Sequence, residues 1–573
     1  MKHLIPYFKK YKLQSILAPL FKMLEACFDL VVPLIVASII DTGIVKGDKV
    51  FIVSRFFLLI LMALLGLLSS FTAQFFAAKA AIGTATGLRH ELLLRVQSLS
   101  FAQLDKIGKS TLITRMTGDI NQVQNGVNMF LRLFMRSPFI VFGAAILAFT
   151  VDKDLAIIFV GIIVILFVIV FGMMKITKPM HKKVQQSLDA VTNETVESLN
   201  GVRVIRAFSR EEVQKECFSD TNGRLISAQL KVGRVSALLN PVTFVVVNTA
   251  VMLVLYFGAR KADGGLLFSG DIVALINYIG QILIELVKLA NLITLIARAI
   301  ASMERVGQLL DTESSMTYGN VNSFGQYEDA VSFDKVSFTY EGAGAPSLSD
   351  ICFSVKKGET VGIIGGTGSG KTTLINLISR FYDATEGEIR LKGESIRSLG
   401  KKALNSSVAL VPQKAMLFAG TVRSNLLWGN PIATDAELYK ALDLSQSREF
   451  VDRMQDGIDG RVEQSGKNLS GGQRQRLTIA RALVSGADIL IFDDSASALD
   501  FATEAALRKS LKTLQGEKTV FIISQRTSSV AHADKILVLD DGVLVGVGKH
   551  ESLLSDCEVY REIHESQFKG EVQ

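Results

Sequence analysis

The chain has 573 residues, of which 49% are hydrophobic and 20% are charged, and its mean hydropathy is +0.34. A soluble protein of this length would divide into domains of roughly 150 residues and would not be net apolar. The counts of 9 Pro, 4 Cys and 34 Phe exclude collagen-like, disulfide-rich and disordered chains. The net charge of +7 is small for this length and does not indicate nucleic-acid binding. The composition therefore predicts a protein that is partly embedded in lipid.

Apolar segments fill the first half of the chain. A segment of about 20 residues crosses a hydrocarbon core of roughly 30 Å as a helix. The predicted spans are 16–40, 56–78, 137–150, 155–174, 235–259 and 272–297. After about residue 330 short strand-like and helix-like patterns alternate instead. The sequence predicts an α-helical membrane domain in residues 1–300, a linker in 301–330 and an α/β domain in 331–573.

The distribution of basic residues predicts the orientation of the spans, because cytoplasmic connections are rich in Lys and Arg. Residues 1–12 contain four Lys and no acid, so the N-terminus is expected in the cytoplasm. The long connections 79–136 and 175–234 carry 8 basic against 3 acidic residues and 11 against 7. Both are predicted to be helices that leave the membrane and turn near Leu104–Lys109 and Asn200–Ser209. These turns are candidate contacts to a cytosolic domain beside Gln413; plain helical hairpins are the alternative.

A glycine-rich run follows the strand-like residues 360–364 and matches the pattern GxxxxGK[ST]. Glycines let backbone N–H groups surround a phosphate, and the N-terminus of the following helix adds partial positive charge. The motif predicts an ATP site in which Lys371 reaches the β- and γ-phosphates and the Thr372 hydroxyl holds Mg²⁺. Its residues are Gly365, Gly366, Thr367, Gly368, Ser369, Gly370, Lys371, Thr372 and Thr373.

Two further runs accompany this Walker A motif. The apolar run 489–492 ends in Asp493, which predicts a Walker B strand with Asp493 acting on Mg²⁺ through water; alone, it would be an ordinary strand end. Between the two motifs, a Gly-Gly pair before a helix makes a second anion-binding N-terminus. Its phosphate cannot come from the same P-loop if both sites are used at once. This run consists of Leu469, Ser470, Gly471, Gly472 and Gln473.

The run LSGGQ between Walker A and Walker B resembles the signature of ABC transporter ATPases. Six spans before one such domain resemble the half-transporter exporters over essentially the whole chain. The resemblance implies that Tyr340 stacks on adenine, that Gln413 contacts Mg²⁺ and senses the membrane domain, and that Ser497, Ala498, Leu499 and Asp500 form the D-loop. It also implies a dimer with two sandwiched ATP molecules, in which Leu469–Gln473 and Asp500 face the ATP bound by the other subunit.

Two positions depart from the family pattern. Asp494 stands where the family has the Glu that polarises the attacking water, and Gln525 stands where it has the switch-loop His. The carboxylate of Asp lies about 1.5 Å further back than that of Glu, and misplacement of this size can lower a rate ~10²-fold. Gln can hydrogen-bond to a γ-phosphate, but it has no titrating imidazole.

Both departures affect hydrolysis, whereas the groups that bind ATP are retained. The chain resembles the degenerate-site subunit of bacterial heterodimeric multidrug exporters, whose partner supplies the intact Glu and His. The resemblance implies export of amphipathic drugs or lipids across a bacterial plasma membrane, driven by cytoplasmic ATP hydrolysis. A homodimeric exporter with slow ATPase activity and an ATP-gated channel or regulator are the alternatives.

Ionisable residues within the spans mark a candidate substrate path. Charges in lipid are costly, so they are expected to face protein or a wet cavity. Lys22, Glu25 and Asp29 share one helix face of the first span, and Glu285 lies three residues before Lys288 in the last. One interpretation is a polar patch for cationic substrates. The other is an internal Lys22–Glu25 pair beside a hydrated Asp29, with a similar Glu285–Lys288 pair.

Overall fold

The computed structural model describes residues 2–495 and 499–568. The chain forms two compact units, one of Met1–Gln97 with Ser110–Thr312 and one of Ser98–Lys109 with Glu313–Gln573. The helices before residue 312 are α1 (Ile5–Lys10), α2 (Lys12–Ser38), α3 (Lys49–Ser98), α4 (Phe101–Ile107), α5 (Lys109–Thr114), α6 (Ile120–Leu133), α7 (Arg136–Val151), α8 (Lys153–Asn200), α9 (Val202–Ala207), α10 (Glu211–Ala237), α11 (Leu239–Asp263) and α12 (Ser269–Asp311). Short π-helical turns at Ile39–Ile44 and Arg115–Asp119 extend α2 and join α5 to α6.

Six helical runs in the described chain are long and apolar enough to cross a membrane. This confirms the prediction of six membrane-spanning helices. The helix α3 alone has 50 residues and α8 has 48. Helices of that length measure about 70 Å, more than twice the hydrocarbon thickness. The runs are Lys12–Ile44, Lys49–Ser98, Lys109–Val151, Lys153–Asn200, Glu211–Asp263 and Ser269–Asp311.

Small residues let the helices of the first unit approach closely, as is usual in membrane proteins. A row of alanines on α3, which includes Ala73, Ala77 and Ala81, is completely buried. Gly126 on α6 faces Ala299 on α12, and a Cβ at Gly126 would lie 2.2 Å from the Ala299 side chain. The contact between these two helices therefore requires glycine at position 126.

The second unit contains an α/β domain built on a six-stranded sheet in the order β12-β11-β3-β10-β9-β6. A four-stranded antiparallel sheet has the order β2-β1-β4-β5, and β7 pairs with β8. The strands are β1 (Asp329–Phe338), β2 (Leu348–Lys356), β3 (Thr360–Gly365), β4 (Glu386–Leu391), β5 (Glu394–Ser395), β6 (Val408–Val411), β7 (Gly420–Thr421), β8 (Arg461–Val462), β9 (Ile489–Asp493), β10 (Thr519–Ile523), β11 (Lys535–Asp540) and β12 (Val543–Gly548). The helices are α13 (Lys371–Ile378), α14 (Lys401–Ser407), α15 (Val422–Leu426), α16 (Asp435–Leu444), α17 (Arg448–Asp452), α18 (Gly471–Val484), α19 (Phe501–Lys512), α20 (Thr527–Val530), α21 (His550–Asp556) and α22 (Glu558–Phe568).

The register of the parallel strands places the sequence motifs at one edge of the large sheet. Strands β3, β10, β9 and β6 are parallel neighbours, and Ile523 at the end of β10 lies opposite Asp493 at the end of β9. All five residues of β9 are buried, as expected for a central parallel strand. Segments that follow parallel strands converge at the carboxyl edge of a sheet, which is where such folds bind ligands.

Candidate ATP-binding site

A pocket of about 470 Å³ opens at this carboxyl edge. Segments that are far apart in sequence line it: the glycine-rich loop, the segments after β6, β9 and β10, and two short connections near β2 and β11. The lining residues are Pro346, Ser347, Thr367, Gly368, Ser369, Gly370, Lys371, Thr372, Thr373, Gln413, Asp493, Asp494, Ile523, Ser524, Gln525, Asp541 and Gly542. The predicted Walker A, Walker B and switch residues and Gln413 are thus brought together.

The glycine-rich loop has the geometry of a phosphate cradle. Gly368 and Gly370 adopt φ values of +87° and +93°, which residues with a side chain rarely adopt. At Gly365 a Cβ would lie 2.1 Å from the carbonyl oxygen of Leu539. Nothing lies within 4 Å of the Cβ position at Gly366 or Gly368, so the space in front of the loop is open. The loop therefore leaves room for phosphate groups.

Lys371 lies inside this loop at the start of α13. Its Nζ donates to the carbonyl oxygens of Gly365, at 2.9 Å, and Gly366, at 2.5 Å. Burial lowers the pKa of Lys371, and the nearby Asp494 and Asp493 carboxylates oppose that shift. The ammonium group faces the carboxylates across the pocket and can neutralise phosphate oxygens bound between them.

Asp493 is the last residue of β9, and Asp494 directly follows it. The pKa of Asp493 is raised to about 6, because its carboxyl is buried and lies beside the Asp494 carboxylate, while Lys371 acts in the opposite sense. Asp494 has a φ of +42°, and its N–H donates to the carbonyl oxygen of Ile523 at 3.0 Å. Gln413 donates from Nε2 to Oδ2 of Asp494 at 3.3 Å. These contacts tie the ends of β9, β10 and β6 together.

The oxygen atoms in the pocket suit Mg²⁺. Thr372 contributes a hydroxyl, Gln413 an amide oxygen and Asp493 a carboxylate, which are the hard ligands that Mg²⁺ prefers. Within residues 2–495 and 499–568 there is no group of three His, Cys, Asp or Glu that could hold a metal alone. Mg²⁺ usually binds proteins through one or two side chains together with substrate phosphates, so the residues fit Mg²⁺ bound with ATP. Bound Mg²⁺ would supply charge neutralisation at the phosphates.

The switch loop connects β10 to α20. The side chain of Gln525 is exposed and lines the pocket, and its backbone carbonyl accepts a hydrogen bond from Gln567 Nε2 at 2.7 Å. Next to it, the N–H of Arg526 donates to the Ser524 hydroxyl at 3.0 Å. The carboxylates in the pocket wall belong to Asp493, Asp494 and Asp541, and neither Glu nor His occurs among its described lining residues.

Tyr340 lies in an aromatic cluster rather than in the wall of the phosphate pocket. Its ring is edge-on to Phe338 and Tyr382, with centroid distances of 4.8 and 5.3 Å. Its hydroxyl is 3.2 Å from the Thr373 hydroxyl on α13. The proposed adenine contact is therefore connected directly to the Walker A helix.

The helix α4, which forms the first predicted turn, packs against this aromatic cluster within the second unit. The rings of Phe101 and Phe381 pack at a tilt with centroids 4.4 Å apart, and Tyr382 donates a hydrogen bond to Asp105. Lys106 forms an exposed ion pair with Glu341. The predicted contact of this turn beside Gln413 was wrong, because its aromatic and charged partners lie around Tyr382 and Glu341.

The signature run begins α18. Ser470 caps the helix: its hydroxyl accepts from the N–H of Gln473 at 3.2 Å, and the Gln473 side chain accepts from the N–H of Ser470 at 2.8 Å. Leu469 is buried, whereas Ser470 and Gly471 are exposed. Leu469–Gln473 do not line the phosphate pocket within the described chain. This helix terminus is therefore free to meet an anion bound elsewhere.

Asp500 caps α19 in the same manner, accepting from the N–H of Thr503 at 2.9 Å and from its hydroxyl at 2.8 Å. Hydrogen bonds from the backbone and side chain of Thr503 lower the pKa of Asp500. Of the other predicted D-loop residues, Ser497 and Ala498 lie outside the described residues.

The ionisable residues of the first and last spans join a network that also includes Arg136 at the start of α7. Arg136 donates from Nη1 to Glu285 at 2.7 Å and from Nη2 to Asp29 at 2.9 Å. Ion pairs also join Lys22 to Glu25 and Lys288 to Glu285. The network has three positive and three negative groups, and only the Asp29 and Lys288 side chains are substantially exposed, at 44% and 42%. Both ion pairs of the structural interpretation are thus present; the substrate role stays a prediction.

Several contacts in the structure involve residues that no sequence motif marks. Arg136 adjoins a predicted span, but its partners lie on helices more than a hundred residues away. Asp541 and Gly542 enter the pocket wall from the turn between β11 and β12, where no motif marks them. Gln567 is near the end of the chain and contacts the switch loop. No sequence pattern signals these contacts, because each depends on strand order or helix packing.

Comparisons with known proteins agree with this architecture. A family model described as the ABC transporter transmembrane region matches residues 15–286, and one described as ABC transporter matches residues 348–497. An uncharacterized ABC transporter ATP-binding protein of Mycobacterium tuberculosis is 33% identical over 573 residues, covering 99% of this chain and 97% of the relative. YfiB of Bacillus subtilis, also an uncharacterized ABC transporter ATP-binding protein, is 33% identical over 575 residues, covering 100% and 99%.

A more distant relative and a solved structure have similar coverage. The ATP-dependent lipid A-core flippase of Vibrio vulnificus is 28% identical over 569 residues, covering 99% of this chain and 97% of the flippase. The structure of a bacterial Atm1-family ABC exporter with ATP bound superposes with a TM-score of 0.80 at 23% identity, covering 98% of each chain. The chain belongs to the ABC transporter family, and its membrane domain of six helices and its ATP-hydrolysing ABC domain are fused in one polypeptide.

Proposed function

We propose that this chain is one subunit of a heterodimeric exporter. Its own Walker A site binds Mg²⁺ and ATP and hydrolyses ATP slowly, while its Leu469–Gln473 run and Asp500 complete a fully active site on the other subunit. The observation that carries the proposal is the presence of Asp494 and Gln525 in the wall of one phosphate pocket that otherwise keeps its binding groups.

The backbone around Asp494 supports the expected loss of activity. Its N–H is hydrogen-bonded to Ile523, and its φ of +42° is a restricted conformation. Strand β9, which precedes Asp494, and strand β10, to which Asp494 is hydrogen-bonded, both lie within the large sheet. The backbone at Asp494 therefore has little freedom to move the carboxylate further into the pocket. A carboxylate displaced by about 1.5 Å polarises an attacking water less effectively.

A homodimeric exporter with slow ATPase activity is the second candidate. In its favour, the Asp494 carboxylate lies in the pocket and accepts a hydrogen bond from Gln413, so an acceptor for a water proton is present. The two candidates differ in whether Asp494 is needed for turnover of the assembled transporter.

We propose amphipathic lipids or drugs as the transported substrates. The full-length similarity to lipid A-core flippases supports an amphiphile. In the ionic network Arg136 neutralises Glu285 and one side of Asp29, so a site for cations would depend on the exposed part of Asp29. We therefore assign Asp29 to the substrate path. We assign Lys22, Glu25 and Glu285 to the surrounding ion pairs that hold this part of the membrane domain together.

The test is ATPase activity of the chain alone and of the chain co-expressed with a half-transporter encoded beside it, each with and without Asp494→Ala. The heterodimer predicts little activity for the chain alone and co-expressed activity that survives Asp494→Ala. Ordinary activity of the chain alone that Asp494→Ala abolishes would instead establish the homodimer. Uptake of a fluorescent amphiphile into inverted vesicles tests export, because a channel dissipates a gradient but cannot build one.

A further inference from the structure

The C-terminal helix α22 is anchored beside the switch loop. Tyr560 on α22 is fully buried in a cluster with Val530 of α20 and Ile364 of β3. The Tyr560 hydroxyl lies 2.7 Å from Nδ1 of His550, which adds a polar anchor. Because Ile364 directly precedes the glycine-rich loop and Val530 belongs to the helix after the switch loop, α22 is held against the elements that carry both.

Gln567, near the end of α22, holds the backbone of the switch loop at two points. Its Nε2 donates to the carbonyl oxygen of Gln525 at 2.7 Å. Its Oε1 accepts from the N–H of Thr527 at 2.9 Å and from the Thr527 hydroxyl at 3.1 Å. His564, one turn earlier on α22, contacts the same hydroxyl at 3.2 Å. A glutamine amide fits here because it supplies a donor and an acceptor side by side.

These contacts lie on both sides of Arg526, so they restrict the peptide units that determine the direction of the Gln525 side chain. That side chain lines the phosphate pocket with Lys371 and Asp494. The backbone of Thr527 is fixed further because its side chain is completely buried. The orientation of the switch residue therefore depends on a side chain from the C-terminal helix.

We propose that Gln567 is a positioning residue for the ATPase site: it holds the switch loop so that Gln525 faces the γ-phosphate. The inference rests on the proposed role of Gln525 at the γ-phosphate, and not on whether the exporter is a heterodimer or a homodimer. Loss of the Gln567 amide frees the switch-loop backbone and weakens recognition of the γ-phosphate, while contacts to the other phosphates and adenine remain.

The experiment compares the affinities of the full-length chain for Mg²⁺-ATP and Mg²⁺-ADP in lipid nanodiscs. The variants are Gln567→Ala, Gln525→Ala, the double variant, and Ser566→Ala as the control. Ser566 lies next to Gln567 on α22, and within the described residues its hydroxyl donates only to the Ile563 carbonyl of the same helix. Gln525→Ala keeps the backbone carbonyl that Gln567 holds, so the two single variants disturb different parts of one arrangement.

We expect Gln567→Ala and Gln525→Ala each to lower the preference for ATP over ADP about five-fold, as loss of one net hydrogen bond would. The double variant is expected to match Gln525→Ala, because freeing the loop has no further effect once the side chain is gone. Equal weakening of ATP and ADP binding in Gln567→Ala, or fully additive effects, would overturn the inference and leave a structural role. An unchanged preference in Gln525→Ala would overturn both the inference and the proposed role of Gln525.

Discussion

Gln413 and Asp494 are joined by a hydrogen bond of 3.3 Å between Nε2 and Oδ2. Gln413 lies two residues after β6 and Asp494 directly follows β9, and these strands are parallel neighbours. Gln413, for which the resemblance implies a role in sensing the membrane domain, thus touches the carboxylate that we propose stands at the position of the catalytic base. An Asp at this position makes this contact, although its carboxylate extends less far than that of a Glu would.

Asp494→Glu should raise the ATPase activity of this chain's own site. The added methylene extends the carboxylate by about 1.5 Å, and we expect an increase of roughly ten-fold or more, within the ~10²-fold range for such misplacement. Single-turnover hydrolysis by the chain alone measures it, with Asp494→Asn as the control of similar size. If Asp494→Glu is no faster than wild type, the length of this side chain does not limit the reaction.

Ser470→Arg should abolish most turnover of the assembled exporter. The exposed N-terminus of α18 carries partial positive charge suited to a phosphate, and a bulky side chain at Ser470 would block it and remove the helix cap. Lys467→Ala, three residues earlier on an exposed position, is the matched control and should retain activity. In a heterodimer the loss should far exceed that caused by Asp494→Ala, whereas comparable losses would argue for two equivalent sites.

Mg²⁺-dependent ATP binding should weaken as the pH falls through about 6. Burial and the Asp494 carboxylate raise the pKa of Asp493 to about 6, and Mg²⁺ requires the ionised carboxylate. Because the pKa of Asp493 in the folded state exceeds its ordinary value of 3.8, ionisation of Asp493 lowers the stability of the fold as the pH rises from about 4 to about 6. Asp494→Asn removes the neighbouring charge, so the loss of affinity should move to lower pH. Mg²⁺-ATP titrations of both proteins check this; coincident pH profiles would contradict it.

Arg136→Ala should destabilise the membrane domain. It leaves Asp29 and the nearly buried Glu285 without their shared cation. Breaking a buried ion pair costs about 3–5 kcal/mol, and the Lys288–Glu285 pair that remains offsets part of this loss. We expect a lower unfolding temperature in detergent and partial recovery when Glu285→Gln removes the more buried of these two carboxylates. Lys215→Ala breaks the exposed Lys215–Glu212 pair and should have no measurable effect. Equal unfolding temperatures for Arg136→Ala and Lys215→Ala would show that the network adds little stability.

Tyr382→Phe should reduce stimulation of the ATPase by transported substrate while leaving ATP binding intact. The substitution removes the hydrogen bond to Asp105 on α4 but keeps the ring beside Tyr340. Loss of one hydrogen bond of about 1 kcal/mol predicts a stimulation about five-fold weaker. Asp105→Asn is a second variant at the same contact, because it removes the charge of the carboxylate that accepts this hydrogen bond. Unchanged stimulation in both variants would mean that α4 transmits its signal through Phe101 or Lys106 instead.

The sequence by itself determined the two-domain architecture and the composition of the ATP site. Uncharged apolar segments of about 20 residues are long enough to cross a membrane as helices. The glycine-rich loop, Asp493 and Gln413 each lie in a short sequence motif that indicates their role in binding ATP. Asp494 and Gln525 lie in one pocket because they follow β9 and β10, which are adjacent parallel strands of the same sheet.

Tertiary structure alone decided the contacts between segments that no pattern links. Arg136 neutralises acids on α2 and α12 because the helices pack there, which joins the two predicted ion pairs into one balanced network. The helix α4 meets Tyr382 instead of Gln413 because Phe101 and Asp105 find aromatic and hydroxyl partners in that cluster. Gln567 reaches the switch loop only because α22 packs against α20. Hydrogen bonds and ion pairs act over a few ångströms, so their partners are set by packing and not by distance along the chain.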